Sequence, residues 1–228
     1  MASSPLPTCY PPPFSPRSAT RFAAPIPGEA GGIRNIFAAF SLTRTVAASD
    51  TVRELLRAVT GGDTAYRPVC GILFDKIAGA TGASWKVPFH QDLSIAVREH
   101  PALPIPGYEI WSVKDGVVHT QPPVSVLTRL VTVRLHLDPC DDQNGALRVL
   151  PGSHRSGRLS AGAVLACRRD TPEVLCPVLA GGAFVFRPLL LHASSAATQA
   201  GARRRVLHIE YAPVYLSLPV GIAWHDAL

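Results

Sequence analysis

Apolar residues follow two different rhythms along this chain. From "IRNIFAAF" to "TVRELLRAVTG" the pattern is helical: Leu55, Leu56 and Val59 fall on one stripe, and Gly61-Gly62 ends it. Asp50, just before Thr51, is placed to cap that helix. Beyond Gly62 come short runs rich in Val, Ile, Leu and Phe, separated by Gly, Pro, Asn and Asp. They are "VCGILFDK", "HQDLSIAV", "SVLTRLVTVRLHLD", "ALRVLPG", "CPVLAGGAFVF", "LLLHAS" and "RRVLHIEYAPVYLS". Helices followed by many short strands with turn signals predict a mainly β fold with flanking helices (α+β), a sandwich or jelly roll under a helical layer. No internal repeat is visible.

Within the strands, alternation assigns faces. In "TVRLHLD" Thr132, Arg134, His136 and Asp138 share one parity and Val133, Leu135 and Leu137 the other, so one face is polar and lines a cavity. In "RRRVLHIEY" Arg204, Val206, His208 and Glu210 alternate with Arg205, Leu207, Ile209 and Tyr211. The second set reads as a face packed under helices, which turns Arg204 inward. His192 ends an apolar strand, with Ser194 on the same parity. His90 and Asp92 are two residues apart, a spacing that returns to one strand face, with Gln91 turned away.

Composition narrows the function classes. The 228 residues suit a single domain over 31–228, and 47% hydrophobic content can fill a core. The apolar runs are broken before they reach the length of a membrane span. Net charge is +6 and the one dense basic cluster, Arg203-Arg204-Arg205, has no interleaved aromatics, so no nucleic-acid partner is expected. Five scattered cysteines are odd in number and never form a two-residue-gap pair, which reads as packing thiols in a reducing compartment. Residues 1–30 are rich in Pro, Ser and Ala, hold Arg17 and Arg21, and have no acid before Glu29. That leader is expected to be disordered, with the composition of a plastid or mitochondrial transit peptide as one reading of it. Without such targeting the expected location is cytoplasmic, and in no case secreted.

The candidate chemistry lies in what the strands bring together. His90, Asp92 and His192 supply two imidazoles and one carboxylate, the ligand set of mononuclear Fe(II) oxygenases. Zinc accepts the same set, but no HExxH motif supplies the usual general base, and iron is preferred. An arginine about a dozen residues after His192 would let an α-keto acid bury its far carboxylate in an apolar barrel through a fork of charge-assisted hydrogen bonds.

Three blocks, "WKVPFHQDLS", "TVRLHLDPCDDQNGALRVLPGSHRSGRL" and "HASSAATQAGARRRVLHIEY", resemble the phytanoyl-CoA dioxygenase-like branch of the Fe(II)- and 2-oxoglutarate-dependent oxygenases. The resemblance runs from about "GILFDK" to "LHIEYAP". It implies a double-stranded β-helix (jelly roll, cupin-like) and a dioxygenase that consumes 2-oxoglutarate and O2, hydroxylates a small molecule, and releases succinate and CO2. It implies His90, Asp92 and His192 as iron ligands and Ser194 with an arginine of the 203–205 run as holders of 2-oxoglutarate. Parity selects Arg204, while the family spacing also tolerates Arg203. Arg134 falls where the family places a side chain beside the cosubstrate. Halogenating relatives replace the carboxylate ligand with a small residue, so Asp92 points to hydroxylation. The absence of an obvious second Lys and Arg cluster argues against acyl-CoA as the substrate.

Two readings of other classes remain beside this one: a catalytically silent jelly-roll scaffold, and a zinc-dependent hydrolase on the same barrel. "NGALRVLPGSH" reads as a turn leading into a strand and loop, with Asn144-Gly145 chosen for left-handed backbone and His154 as a loop anchor. Trp85 and Lys86 fall where they could line the mouth. His136 and His208 are candidates for supporting the ligands from behind, and His100, His119 and His225 have no evident role. Whether the chain is a monomer or a dimer is open.

Overall fold

A computed structural model describes residues 8–10, 32–78, 86–198 and 201–226. In chain order the elements begin with strand β1 (Thr8–Tyr10), strand β2 (Ile33–Arg34) and helices α1 (Ile36–Ala39), α2 (Ser41–Ala47) and α3 (Asp50–Thr60). Strands β3 (Tyr66–Ile77), β4 (Val87–His90), β5 (Ile95–Val97), β6 (Glu109–Lys114) and β7 (Val117–Gln121) follow. Helix α4 (Val124–Leu127) precedes β8 (Val131–His136) and β9 (Leu147–Val149), and helix α5 (Ala161–Asp170) precedes β10 (Val174–Cys176), β11 (Ala183–Phe186), β12 (His192–Ser194) and β13 (Arg203–Pro213).

The strands form an antiparallel six-stranded sheet ordered β1-β11-β8-β13-β3-β2, a four-stranded sheet ordered β10-β9-β12-β4, and a three-stranded sheet ordered β5-β7-β6. One face of the large sheet meets the helices. Val131, Val133 and Leu135 from β8, Ala183 and Val185 from β11, and Leu207, Ile209 and Tyr211 from β13 pack against Ile36, Phe37, Val52, Leu55 and Leu56. Tyr211 adds a buried O–H that donates to Ala47 O at 3.1 Å. Gly71 on β3 is required by the close approach of α1, because a Cβ there would lie 2.8 Å from Ile36 and 2.9 Å from Phe37. The opposite face of the large sheet meets the four-stranded sheet through Phe184, Phe186, Leu147, Val149 and Leu190. The architecture is the jelly roll predicted from the pattern, with period-2 alternation separating the two faces.

Several expectations need correction. The cap of α3 is Ser49, whose side chain accepts from Val52 N, while Asp50 is the first helical residue; a serine at this boundary satisfies the free backbone N–H, and Asp50 in the first turn complements the helix dipole. Thr8–Tyr10, inside the leader expected to be disordered, pairs with β11 at the edge of the large sheet; the rest of that leader, and Trp85, lie outside the described residues. Asp138 does not share the inward face of β8. The strand ends at His136, and Asp138 receives Arg205 Nε at 2.8 Å and Nη2 at 2.6 Å. In the Asn144-Gly145 turn only Gly145 is left-handed, at φ +83°. Among the described residues no helix is long and apolar enough to cross a membrane.

Candidate metal centre

β12 runs antiparallel to β4 with His192 as the register partner of His90, which brings together two histidines about a hundred residues apart in the chain. β4 ends at His90, so Asp92 is not on the strand itself. It follows in an extended link whose Asp92 N donates to Pro188 O at 2.9 Å, and this bond turns the carboxylate back between the two rings. Asp92 Oδ1 lies 3.6 Å from His90 Nε2 and Oδ2 lies 3.8 Å from His192 Nε2. The imidazole centroids are 4.2 Å apart. One ligand atom from each of the three residues falls within 4.8 Å of the others.

Both rings are held from behind in the same way. His90 Nδ1 is 2.9 Å from Pro88 O and His192 Nδ1 is 2.9 Å from Leu190 O. A carbonyl can only accept, so each Nδ1 carries the proton and each Nε2 presents its lone pair toward Asp92. This tautomer is the one a metal requires, fixed by backbone. Asp92 Oδ2 is buried without a hydrogen-bond partner among the described residues, an orphan that a cation would satisfy. Burial holds His192 down at about 4, so the ring is neutral at pH 7. Desolvation alone would raise Asp92, but His192, His208, His90 and Arg134 together bring it below the ordinary carboxylate range.

Gln91, between the two candidate ligands, points away and is fully used. Its Nε2 donates to Gly157 O at 2.8 Å and Leu189 O at 2.7 Å, and its Oε1 accepts from Leu159 N at 2.9 Å. The "LPGSH" block is anchored beside it, since Ser153 Oγ accepts from Leu191 N at 2.8 Å, one residue before His192. Ser153, not His154, makes that contact; His154 is half-exposed in a short 3-10 turn, and burial lowers its pKa.

The cluster opens into a cavity of about 520 Å³ between the sheets. Arg134, Arg204, Ser194 and His208 line it. Arg204 is buried and its Nη1 donates to Gly145 O. Arg203 and Arg205 have the other parity. Arg203 Nε and Nη2 bind Asp75 at 2.9 and 2.7 Å, and Arg205 binds Asp138, so of the three arginines it is Arg204 that reaches the cavity. Arg134 Nη1 donates to His208 Nδ1 at 3.3 Å, which turns His208 Nε2 toward Glu210 Oε1, 3.8 Å away. Burial and the nearby Arg204 lower Arg134 to about 10. His136 is inward and buried, but it does not line the cavity; burial and the two arginines keep it neutral.

The cavity also takes in residues to which alternation alone assigned no role: Arg34, Lys76, Lys114, His119 and Gln121. For Lys76 a signal existed, because it shares parity with Cys70, Ile72 and Phe74 on β3 and is the register partner of Arg204. His119 and Gln121 likewise share parity with Val117 on β7; for Arg34 and Lys114 there was no signal, since β2 has two residues and β6 pairs with β7 across a register shift between Glu109 and Ser112. His100 and His225 do not line it.

Two facing antiparallel sheets with a His-Asp-His cluster at the mouth of an internal polar cavity define a cupin-like jelly-roll protein. Residues 38–206, more than two thirds of the chain, match the family model described as phytanoyl-CoA dioxygenase (PhyH), and the chain belongs to that family. Solved structures repeat the fold at low identity. AviO1 from Streptomyces viridochromogenes is 20% identical with a TM-score of 0.61, the alignment covering 92% of this chain and 90% of that one. The epimerase SnoN of nogalamycin biosynthesis, in complex with Fe3+, alpha ketoglutarate and nogalamycin RO, is 15% identical with a TM-score of 0.63, covering 96% and 84%. HygX from Streptomyces hygroscopicus, with nickel and 2-oxoglutarate bound, is 14% identical with a TM-score of 0.60, covering 92% and 83%. A comparison with curated protein sequences gives no match.

Proposed function

We propose that this chain is an Fe(II)- and 2-oxoglutarate-dependent dioxygenase that hydroxylates a small molecule and releases succinate and CO2. The observation that carries the reading is the convergence of His90 Nε2, Asp92 and His192 Nε2, with both ring tautomers set by backbone carbonyls. Family membership and the fold of neighbours crystallised with iron or nickel and 2-oxoglutarate support it.

In this reading the three side chains hold the metal, Arg204 and Ser194 hold the far carboxylate of 2-oxoglutarate, and Arg134 lies beside it. Bound there, iron and 2-oxoglutarate supply the oxidising chemistry that no side chain has. The chain's own part is positioning and exclusion of water. Phe186 packs against the His192 ring with centroids 5.0 Å apart, and Phe74 lies under the Arg134 guanidinium at 5.5 Å. These rings keep one side of the site dry, which strengthens the charge-assisted bonds within it.

Anaerobic addition of Fe(II) and 2-oxoglutarate tests the reading through the weak visible charge-transfer band of the chelate. The wild type is expected to show the band and Asp92→Ala to lose it. No band in the wild type, or an undiminished one in the variant, removes the proposal. A second outcome on the same cofactors is favoured by one observation: neighbours of this fold include an alpha ketoglutarate dependent epimerase and carbocyclase. Turnover under 18O2 separates the two: succinate takes one labelled oxygen in either case, but hydroxylation also places label in the product formed from the substrate, whereas epimerisation and ring closure leave that product unlabelled.

A further inference from the structure

The cavity is strongly unbalanced in charge. Among the described residues Arg34, Lys76, Lys114, Arg134 and Arg204 line it against two carboxylates, Asp92 and Glu210. The proposed cofactors do not correct this, because a divalent cation and a dianionic cosubstrate cancel one another. His119 adds no counter-charge: desolvation, partly offset by the Val117 carbonyl, and the neighbouring Lys114 and Arg34 lower its pKa, so it is neutral at pH 7.

The five cations fall into two groups. Lys76 is the register partner of Arg204, and both feel Arg134; this inner group is the one the cosubstrate would occupy. Arg34 is the register partner of Ile72, two inward steps further along β3. Four residues of strand span about 13 Å, so the two groups are anchored at different levels of β3. Lys114 and His119, from the three-stranded sheet, line the cavity together with Arg34, Ile72 and Phe74, and the charges of Lys114 and Arg34 both act on the His119 ring, so these residues form an outer group.

Arg34 is poised rather than satisfied. Its Nη1 donates to Asp115 at 2.9 Å, but that carboxylate is 55% exposed on the β6–β7 turn, where an ion pair contributes little. Its Nε is buried and has no hydrogen-bond partner among the described residues. Glu210 faces His208 and forms no ion pair with either outer cation among the described residues. His119 Nδ1 is engaged with Val117 O at 2.9 Å, leaving Nε2 to accept from a ligand hydroxyl or N–H.

We propose that the outer group is an anion subsite, in which Arg34 and Lys114 bind a carboxylate or phosphate group of the substrate while its apolar body lies over Ile72 and Phe74 toward the metal centre. This rests on the oxygenase reading for its orientation, not for the binding itself. A charged hydrogen bond at each residue makes either substitution cost roughly tenfold in affinity.

The test is calorimetric titration of the full chain loaded with Zn(II) and saturating 2-oxoglutarate, which fills the Arg204 group and leaves the outer group to be read. The probes are phenylphosphonate, benzoate and the neutral benzamide. Binding of phenylphosphonate or benzoate well ahead of benzamide, with about a tenfold loss in Arg34→Gln and in Lys114→Gln, supports the subsite. The stronger of the two anions tells phosphate from carboxylate. Lys114 is exposed, so Lys114→Gln keeps the fold even if Arg34→Gln does not. Absence of anion binding, benzamide binding equally well, or affinity unchanged in Lys114→Gln overturns the proposal. Failure of the oxygenase reading is separately visible as a missing heat of 2-oxoglutarate binding during loading.

Discussion

Arg204 and Lys76 are register partners on neighbouring strands, a like-charge pair that an anion lying between them would relieve. Desolvation, Arg204 and Arg134 hold the Lys76 ammonium down to about 8, against an ordinary lysine value above 10. The unfolded chain therefore binds more protons than the folded one between these values, and in the cofactor-free protein the Lys76 contribution to stability rises as pH rises through 8. A dianion beside Lys76 reverses the preference. Affinity for 2-oxoglutarate is expected to fall as pH rises above 8, with proton uptake on binding, which calorimetry in buffers of different ionisation enthalpy measures. Arg204→Met is expected to weaken 2-oxoglutarate binding by at least tenfold, the worth of one charge-assisted bond. Arg203→Gln, on the outer face with Asp75, should leave that affinity in place.

Turns and links do as much as strands to shape the site. Gly145, at φ +83°, passes so close to Arg204 that a Cβ there would lie 2.9 Å from its Nη1 and 2.8 Å from Ser195 O. Gly145→Ala is expected to cost about 1 kcal/mol in backbone strain and to displace Arg204, seen as a lower melting temperature together with weaker 2-oxoglutarate binding. Gln91 ties the link that carries Asp92 to the 157–159 loop and to Leu189. Gln91→Ala strands the buried Leu189 carbonyl and the part-buried Gly157 carbonyl and Leu159 N–H, and is expected to lower stability by about 2 kcal/mol by denaturant titration, with looser metal binding as a by-product.

At the scale of the whole molecule, the jelly roll and the inward turn of Arg204 were legible because a two-residue period separates faces wherever a strand is long and one side meets helices. β13 and β8 meet both conditions. The convergence of His90, Asp92 and His192 was legible in residue type, and the resemblance to the family supplied their grouping. The outer group was not legible, since Arg34 sits on a two-residue strand and Lys114 follows a break in register, so neither carries a periodic signal. Ser49 was hidden by a neighbour of equal capping ability, and Asp138 by a strand ending two residues earlier than the alternation suggested.

The register of His192 on His90 has a kinetic meaning. The two rings meet only when β12 has returned to β4, closing a loop of about a hundred residues, so the site exists in no partly folded form that lacks this closure. A metal held as proposed would therefore bind the native state alone, raising the melting temperature with its concentration. It would slow unfolding and leave the folding rate unchanged if the strands close after the rate-limiting step, and would accelerate folding if they close before it. A divalent ion would then serve as a clock for the moment at which the two ends of the barrel meet.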